Sequence, residues 1–218
     1  MIHREGYGII VSIFAVALVI SFLIFIDSEN LFLKVLAGLS WSFMLFSLYF
    51  FRDPDREIPK EPGAIVAPAD GKIIEVGDVQ ETEFINGPAK KISIFMNVFN
   101  VHVNRSPISG KVLFFRYQKG KFMPANLKDA SLQNEQTVLG VEQNGQKLVF
   151  KQIAGLIARR IYCELREGHN VKRGERMGLI KFGSRVDVFM PAETMITVNK
   201  GDCTVAGSTI IGKLADVS

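Results

Sequence analysis

The tripeptide Gly207-Ser208-Thr209 places a serine hydroxyl directly after a glycine. A serine hydroxyl is a weak nucleophile until a base removes its proton, and that base is usually a histidine held by a carboxylate. The preceding glycine would permit a close approach and a strained backbone. Taken alone, however, the tripeptide is also a common turn. Chemistry at Ser208 therefore depends on the histidine and the carboxylate that accompany it.

The chain has three histidines, and they differ in their surroundings. His3 precedes the first apolar run, and His169 lies in a glycine-rich turn beside basic residues, where we expect a solvated side chain. His102 lies in an apolar run that ends at a turn, where a histidine is either structural or catalytic. Asp70, in Pro68-Ala69-Asp70-Gly71, is either a turn-former or a functional carboxylate. The residues alone leave both choices open.

Seven segments, taken in order, resemble the phosphatidylserine decarboxylases, in particular their short, membrane-anchored bacterial and archaeal type. Each segment is a weak signal, but the combination is specific, and it extends from about Phe50 to Gly212. The segments are Phe50-Phe51-Arg52-Asp53-Pro54, Val66-Ala67-Pro68-Ala69-Asp70-Gly71-Lys72, Phe99-Asn100-Val101-His102-Val103-Asn104-Arg105-Ser106-Pro107, Asn134-Glu135, Gln152-Ile153-Ala154-Gly155, Phe182-Gly183-Ser184-Arg185 and Val205-Ala206-Gly207-Ser208-Thr209-Ile210-Ile211-Gly212.

The resemblance implies a covalent pyruvoyl cofactor derived from Ser208. Loss of CO₂ from an α-amino acid leaves electrons at Cα, and a carbonyl that forms a Schiff base with the amine can accept them. The family makes this carbonyl by self-cleavage, which here would separate Gly207 from Ser208. The products would be a large chain of residues 1–207 and a small pyruvoyl chain of residues 208–218. The substrate would be phosphatidylserine in the membrane, and the product phosphatidylethanolamine.

The resemblance also assigns the accompanying residues. His102 becomes the candidate base and proton donor, and Asp70 becomes its carboxylate partner. Longer family members have two histidines three residues apart, whereas this chain has His102 at the first position and Arg105 at the second. Either His102 serves both self-cleavage and decarboxylation, or Arg105 holds the phosphate or carboxylate of the substrate.

Two uncharged runs near the N-terminus predict a membrane anchor over residues 1–51. Tyr7 to Ile26 contains 20 residues, which is long enough to span the hydrocarbon core. Val35 to Phe51 either spans as well or lies in the interface, a depth that suits Trp41. No small-residue cleavage site follows the first run and a second apolar run does, which favours a transmembrane helical hairpin over a cleaved signal peptide; the acidic, polar turn 27–30 separates the two runs.

Basic residues lie on both sides of this hairpin, while its turn is acidic. Cytoplasmic segments are enriched in lysine and arginine. We therefore expect the N-terminus and the catalytic domain on the cytoplasmic side of the cell membrane. The flanking basic residues are Arg4, Arg52, Arg56 and Lys60.

The remainder predicts a mainly β domain over residues 64–218, after a proline-containing linker over residues 52–63. Short apolar or alternating runs recur between turn signals, and Asn144-Gly145 is a strong hairpin signal. No βαβ rhythm is present, which favours a compact antiparallel barrel or sandwich. Residues 153–160 fit a strand or a short helix. The predicted strands are Lys72–Val76, Lys91–Phe95, Lys111–Tyr117, Gln136–Val141, Lys147–Ile153, Met177–Ile180, Val186–Met190 and Met195–Val198.

The net charge and the cysteines indicate which kinds of binding partner to expect. The net charge of +4 suits an anionic lipid surface, and we find no nucleic-acid motif. Cys163 and Cys203 lie in apolar runs without metal-ligand spacing, so we expect buried thiols and no metal site.

Three other functions stay open on the sequence alone. One is a pyruvoyl decarboxylase that acts on a different amino compound. Another is a non-catalytic, membrane-tethered β-barrel that binds a partner. The third is a serine hydrolase that uses Ser208, although the Gly-x-Ser-x-Gly signature is missing around it.

Overall fold

The structure, a computed structural model, describes residues 1–121, 123–125, 133–155, 161–180 and 183–215. It contains two compact units, residues 1–55 and residues 56–218.

The first unit consists of two helices that form a hairpin, α1 (Arg4–Ile26) and α2 (Leu31–Phe50). Asn30 caps α2, because its side chain accepts a hydrogen bond from the Leu33 amide. Trp41 joins the helices, since its indole nitrogen donates to Ser21 and its ring meets Phe14 edge-on. By length and composition both helices are able to cross a membrane. The predicted pair of apolar helices is thereby confirmed.

The second unit is built from fourteen strands within the described residues. Their bounds are β1 (Ala64–Val66), β2 (Gly71–Glu81), β3 (Gly87–Met96), β4 (Val103–Arg105), β5 (Gly110–Gln118), β6 (Gln136–Gln143), β7 (Gln146–Ala154), β8 (Ile161–Cys163), β9 (Asn170–Val171), β10 (Arg176–Ile180), β11 (Ser184–Pro191), β12 (Met195–Ile196), β13 (Cys203–Thr204) and β14 (Ile210–Lys213).

All strand pairings are antiparallel and form three sheets among the described residues. The largest sheet has the order β13-β2-β3-β11-β7-β6-β5-β9, and it curls into a half-barrel. Bulges at Ile73/Glu75 and Val112/Phe114 increase its local bend. Two three-stranded sheets, β1-β14-β12 and β4-β10-β8, complete the unit. The predicted mainly β, antiparallel class is confirmed.

Alternation along the strands separates two faces of the large sheet. On β11, Val186, Val188 and Met190 point into the main hydrophobic core, while Arg185 and Asp187 point to the other face. Each fully buried aliphatic side chain contributes about 1.5–3 kcal/mol to folding. The inward rows of β2, β3, β6 and β7 join the same core. The half-barrel thus contributes most of the main hydrophobic core of this unit.

Glu83 forms an ion-pair group on the other face. Its carboxylate pairs with Lys151 (Nζ to Oε1, 2.5 Å) and with Arg116 (Nη2 to Oε2, 2.6 Å). Partial burial raises the pKa of Glu83, but the hydrogen bonds and charges of Lys151 and Arg116 outweigh it, so the pKa is lowered overall. The group joins the loop before β3 to β5 and β7.

Other expectations vary in outcome. Asn144 and Gly145 adopt positive φ and join β6 to β7 as the predicted hairpin. The strand predicted at Met195–Val198 is shorter, since β12 ends at Ile196. The prediction that Cys203 is buried is wrong: β13 is a two-residue edge strand, and its Cys203 side chain is exposed. Cys163 is partly buried. Of the ambiguous stretch, residues 156–160 lie outside the described residues, as does Phe182.

Candidate active site

Ser208 lies in a tight turn of residues 205–209, here named the Ser208 turn. The Val205 carbonyl accepts hydrogen bonds from the amides of Ser208 (3.1 Å) and Thr209 (3.0 Å). The Thr209 hydroxyl accepts from the Val205 amide at 2.9 Å. Gly207 has a φ of +77°, in the left-handed region that favours glycine. The glycine before Ser208 thus fulfils a backbone requirement of this turn.

Ala67, just after β1, holds the Ser208 turn on both sides of the Gly207–Ser208 bond. Its carbonyl accepts from the Gly207 amide at 2.8 Å, and its amide donates to the Thr209 carbonyl at 2.8 Å. The chain then continues into β14, which lies between β1 and β12. Both ends of the Gly207–Ser208 bond are therefore fixed to the same short segment.

Residues 56–58, here named the 56–58 segment, lie against the turn. The Ser208 hydroxyl donates to the Glu57 carbonyl at 2.9 Å. A methyl group added at Gly207 would lie 3.0 Å from Ile58 Cδ1, so this side chain covers the glycine. A backbone carbonyl is a hydrogen-bond acceptor but not a base at neutral pH. This contact therefore orients the hydroxyl without activating it.

Arg173 holds the chain that follows the 56–58 segment. Its guanidinium donates to three backbone carbonyls, those of Pro59, Glu61 and Ala64. These bonds connect the segment to the turn that precedes β10.

Asp70 lies in the turn before β2 and bonds directly to the Ser208 turn. Its Oδ1 accepts from the Ala206 amide at 2.8 Å. Arg56 Nη2 donates to both carboxylate oxygens, at 3.1 and 2.8 Å. The Asp70 and Arg56 side chains are only 14% and 17% exposed, so water screens this pair less than a surface pair. Asp70 is thus a carboxylate that bonds both to Arg56 and to the backbone of the Ser208 turn.

Arg105, at the end of β4, packs directly on Gly207. A methyl group at Gly207 would lie 2.9 Å from Arg105 Cδ. The Arg105 amide donates to Pro68, and its Nη1 donates to the Gly174 carbonyl at 2.9 Å. Arg105 is 6% exposed, so its side chain is nearly buried, with the Cδ of its stem beside the glycine.

His102 is the residue immediately before β4, and its side chain is fully buried. Its Nδ1 is 2.9 Å from the Asn100 carbonyl, and because a carbonyl only accepts, Nδ1 has the proton. Neutral His102 then has Nε2 as its basic nitrogen. An extended chain rises about 3.3 Å per residue, so His102 is roughly 10 Å along the chain from Arg105. The structure brings Asp70, Arg105 and Ser208 together at the Ser208 turn, whereas His102 precedes β4 and lies three residues before Arg105.

His169 is exposed, and its Nδ1 accepts from the Arg166 amide at 3.3 Å. This position agrees with the solvated turn residue that the sequence predicts.

The sequence did not identify Arg56, Glu57, Ile58 or the backbone of Ala67 as parts of the site. Every residue has a backbone carbonyl and amide, so residue type does not indicate which of them will contribute to a site. Arg56 was interpreted only as one of the basic residues that follow the hairpin. The seven matched segments did include Ala67, however, within Val66-Ala67-Pro68-Ala69-Asp70-Gly71-Lys72.

The model of the family described as phosphatidylserine decarboxylase matches residues 43–212. A phosphatidylserine decarboxylase proenzyme of Rickettsia akari is 47% identical over 215 residues, covering 97% of this chain and 89% of that protein. The corresponding proenzyme of Desulfotalea psychrophila is 51% identical over 170 residues (78% and 79%). That of Magnetococcus marinus is 43% identical over 215 residues (98% and 95%).

Proposed function

Since the chain belongs to the phosphatidylserine decarboxylase family of carboxy-lyases, we propose that it cleaves itself between Gly207 and Ser208 and decarboxylates phosphatidylserine to phosphatidylethanolamine. The observation that carries this proposal is the pair of Ala67 hydrogen bonds on either side of the Gly207–Ser208 bond. These bonds support a cleavage of the Gly207–Ser208 bond after which both new chain ends stay bonded to Ala67. The names of the relatives support the substrate and the processing of a precursor.

The self-cleavage begins at Ser208 Oγ. The base removes its proton, Oγ attacks the Gly207 carbonyl carbon, and the Gly207–Ser208 C–N bond breaks to leave an ester and a free amine at residue 208. Loss of the Ser208 α-proton then expels the Gly207 carboxylate, which leaves dehydroalanine. Water replaces its nitrogen, ammonia leaves, and a pyruvoyl group remains. We assign the base to His102, acting through Nε2, with Asp70 as the associated carboxylate.

The residues around position 208 fit this group. The Ser208 amide makes a 3.1 Å bond to Val205, so loss of the nitrogen gives up that bond while the Ala67–Thr209 bond remains. Strand β14 is paired on both sides, with β1 and β12. These pairings support a stable heterodimer of chains 1–207 and 208–218.

When formed, a pyruvoyl carbonyl supplies the electron sink that loss of CO₂ from an α-amino acid requires. The chain's own residues would then bind and orient the substrate and protonate its Cα. His102 donates a proton at the substrate Cα in place of the departing carboxylate. Arg105, beside Gly207, is our candidate to attract the substrate phosphate or carboxylate.

The membrane placement is part of the proposal. Two apolar helices over residues 4–50 support an anchor formed by residues 1–51, and the basic residues outside the hairpin support a cytoplasmic catalytic domain. Protease added to sealed right-side-out vesicles should spare residues 56–218. Digestion from outside would refute this orientation. Deletion of residues 1–51 should preserve self-cleavage but reduce activity on bilayers more than on detergent-dispersed lipid.

The decisive experiment combines mass spectrometry with CO₂ release. The purified chain should give fragments 1–207 and 208–218, the smaller one with a blocked N-terminus. It should release labelled CO₂ from carboxyl-labelled phosphatidylserine. Ser208→Ala should abolish both, whereas Ser42→Ala on α2 should abolish neither. An intact but active chain would exclude self-cleavage. Faster release from a soluble amino acid would support the alternative substrate, and an intact, inactive chain would support the binding module.

A further inference from the structure

Arg56 is connected to the cleavage site through the carboxylate of Asp70. It is bonded to Asp70 through one guanidinium nitrogen, at 2.8 and 3.1 Å, and Asp70 Oδ1 in turn holds the Ala206 amide at 2.8 Å. The carboxylate is mostly buried, at 14% exposed. Removing the partner of a buried charge is costly, because the remaining charge loses its compensation. Arg56 therefore stabilises Asp70 in the position that reaches Ala206.

Ala206 is the residue immediately before the glycine whose carbonyl is attacked. Its amide is fixed by Asp70, and the next amide, that of Gly207, is fixed by the Ala67 carbonyl at 2.8 Å. Two successive amides thus define where the Gly207 carbonyl lies relative to Ser208 Oγ. A misplacement of about 1 Å between reacting groups can cost on the order of 100-fold in rate.

The two residues after Arg56 contact the same turn in order. The Glu57 carbonyl accepts from the Ser208 hydroxyl at 2.9 Å, and Ile58 Cδ1 lies over Gly207. The 56–58 segment therefore contacts the electrophile, the nucleophile and, through Asp70, the amide before them. These three contacts come from consecutive residues, so displacement of Arg56 would disturb the other two.

We propose that Arg56 is a positioning residue for self-cleavage, acting through Asp70 on the Ala206 amide. The inference rests on the self-cleavage proposed above. In this role Asp70 acts on the Ser208 turn directly, in addition to any partnership with His102. Arg56 touches no reacting atom, and its contribution is to keep the turn in the reactive arrangement.

The test is a double-mutant cycle on the cleavage rate of the full chain. Newly made, pulse-labelled protein is followed by gel electrophoresis and mass spectrometry, well below the melting temperature of each variant. Arg56→Met should slow cleavage by roughly ten-fold or more, in line with the cost of misplacement. Arg56→Lys, which retains the charge, should restore part of the rate. Arg56→Met added to Asp70→Glu, which retains a carboxylate but shifts its oxygens away from the Ala206 amide, should slow cleavage little further, because both changes break one connection.

The matched control is the Arg116–Glu83 ion pair on the other face of the large sheet, with a 2.6 Å contact. Arg116→Met should cleave at the wild-type rate. Wild-type cleavage by folded Arg56→Met overturns the inference alone, and so does equal slowing by Arg56→Met and Arg116→Met. Additive effects of the Arg56 and Asp70 changes overturn the route through Asp70. A wild-type chain that stays intact overturns the proposed function, and this inference with it.

Discussion

Gly207→Ala tests whether the left-handed turn is required for self-cleavage. The φ of Gly207 is +77°, and an L-residue in this region costs about 1–2 kcal/mol. The new methyl group would also lie 2.9 Å from Arg105 Cδ, closer than such contacts normally come, so the Arg105 stem must shift. If the cost falls on the reactive turn, its population drops by roughly 5- to 30-fold. We expect the cleavage rate to fall by at least that factor.

Gly145→Ala is a closely matched control. Gly145 has a φ of +79°, nearly the same as Gly207, but it lies in the β6–β7 hairpin, where an added methyl group would meet no heavy atom within 4 Å. Its backbone cost should appear as a similar loss in the free energy of unfolding. Its cleavage rate should stay at the wild-type value, because the hairpin does not touch the Ser208 turn.

The assay follows both variants after cell-free synthesis, with labelled protein sampled over time and separated by gel electrophoresis. Thermal unfolding of the uncleaved chains, each with Ser208→Ala added, gives the stability cost separately from cleavage. If Gly207→Ala cleaves as fast as Gly145→Ala, the left-handed glycine is not needed and the geometric reasoning is wrong. Equal slowing of both variants would show a general effect of stability.

Three further outcomes are expected. His102→Ala should block cleavage or decarboxylation while His169→Ala behaves as wild type; a normal rate in the first variant on both assays would remove His102 as the base. Iodoacetamide at neutral pH should label Cys203 much faster than Cys163, because Cys203 is exposed and burial raises the pKa of Cys163 to about 11; peptide mapping that finds Cys163 labelled first would contradict this. Glu83→Gln should lower the melting temperature at neutral pH but not in acid, because a lowered pKa gives stability that is present above the unfolded-state pKa and disappears as pH falls through the folded-state pKa; a loss that persists unchanged in acid would argue against the ion pairs.

Alternation and turn chemistry were sufficient to predict much of the fold. Asn144-Gly145 predicted its hairpin because few residue pairs accept positive φ twice in succession. Cys203 was mispredicted because the sequence around it does not reveal that β13 is a two-residue edge strand. Sheet order depends on pairings between distant residues, and local patterns contain no record of them.

In the candidate site, too, side chains in recognisable segments were predicted from the sequence, whereas backbone groups and long-range contacts were not. Ser208 and Asp70 were identified by residue type within recognisable segments, and the structure brings both to the Ser208 turn. The Glu57 carbonyl and the Ala67 amide were not identified, because every residue has these groups and only tertiary structure selects among them. Arg56 was assigned to the charges after the hairpin, and its contact with Asp70 spans fourteen residues and the whole of β1.

The order of these parts along the chain also sets a sequence of events during protein synthesis. The apolar helices are made first, the 56–58 segment next, and strand β14 only after both of its neighbours. Glu57 precedes Ser208 by 151 residues, so at about 5–20 residues per second a ribosome needs roughly 8 to 30 s between them. During that interval the nucleophile does not yet exist. The helices thus have time to meet a bilayer before the Ser208 turn can form.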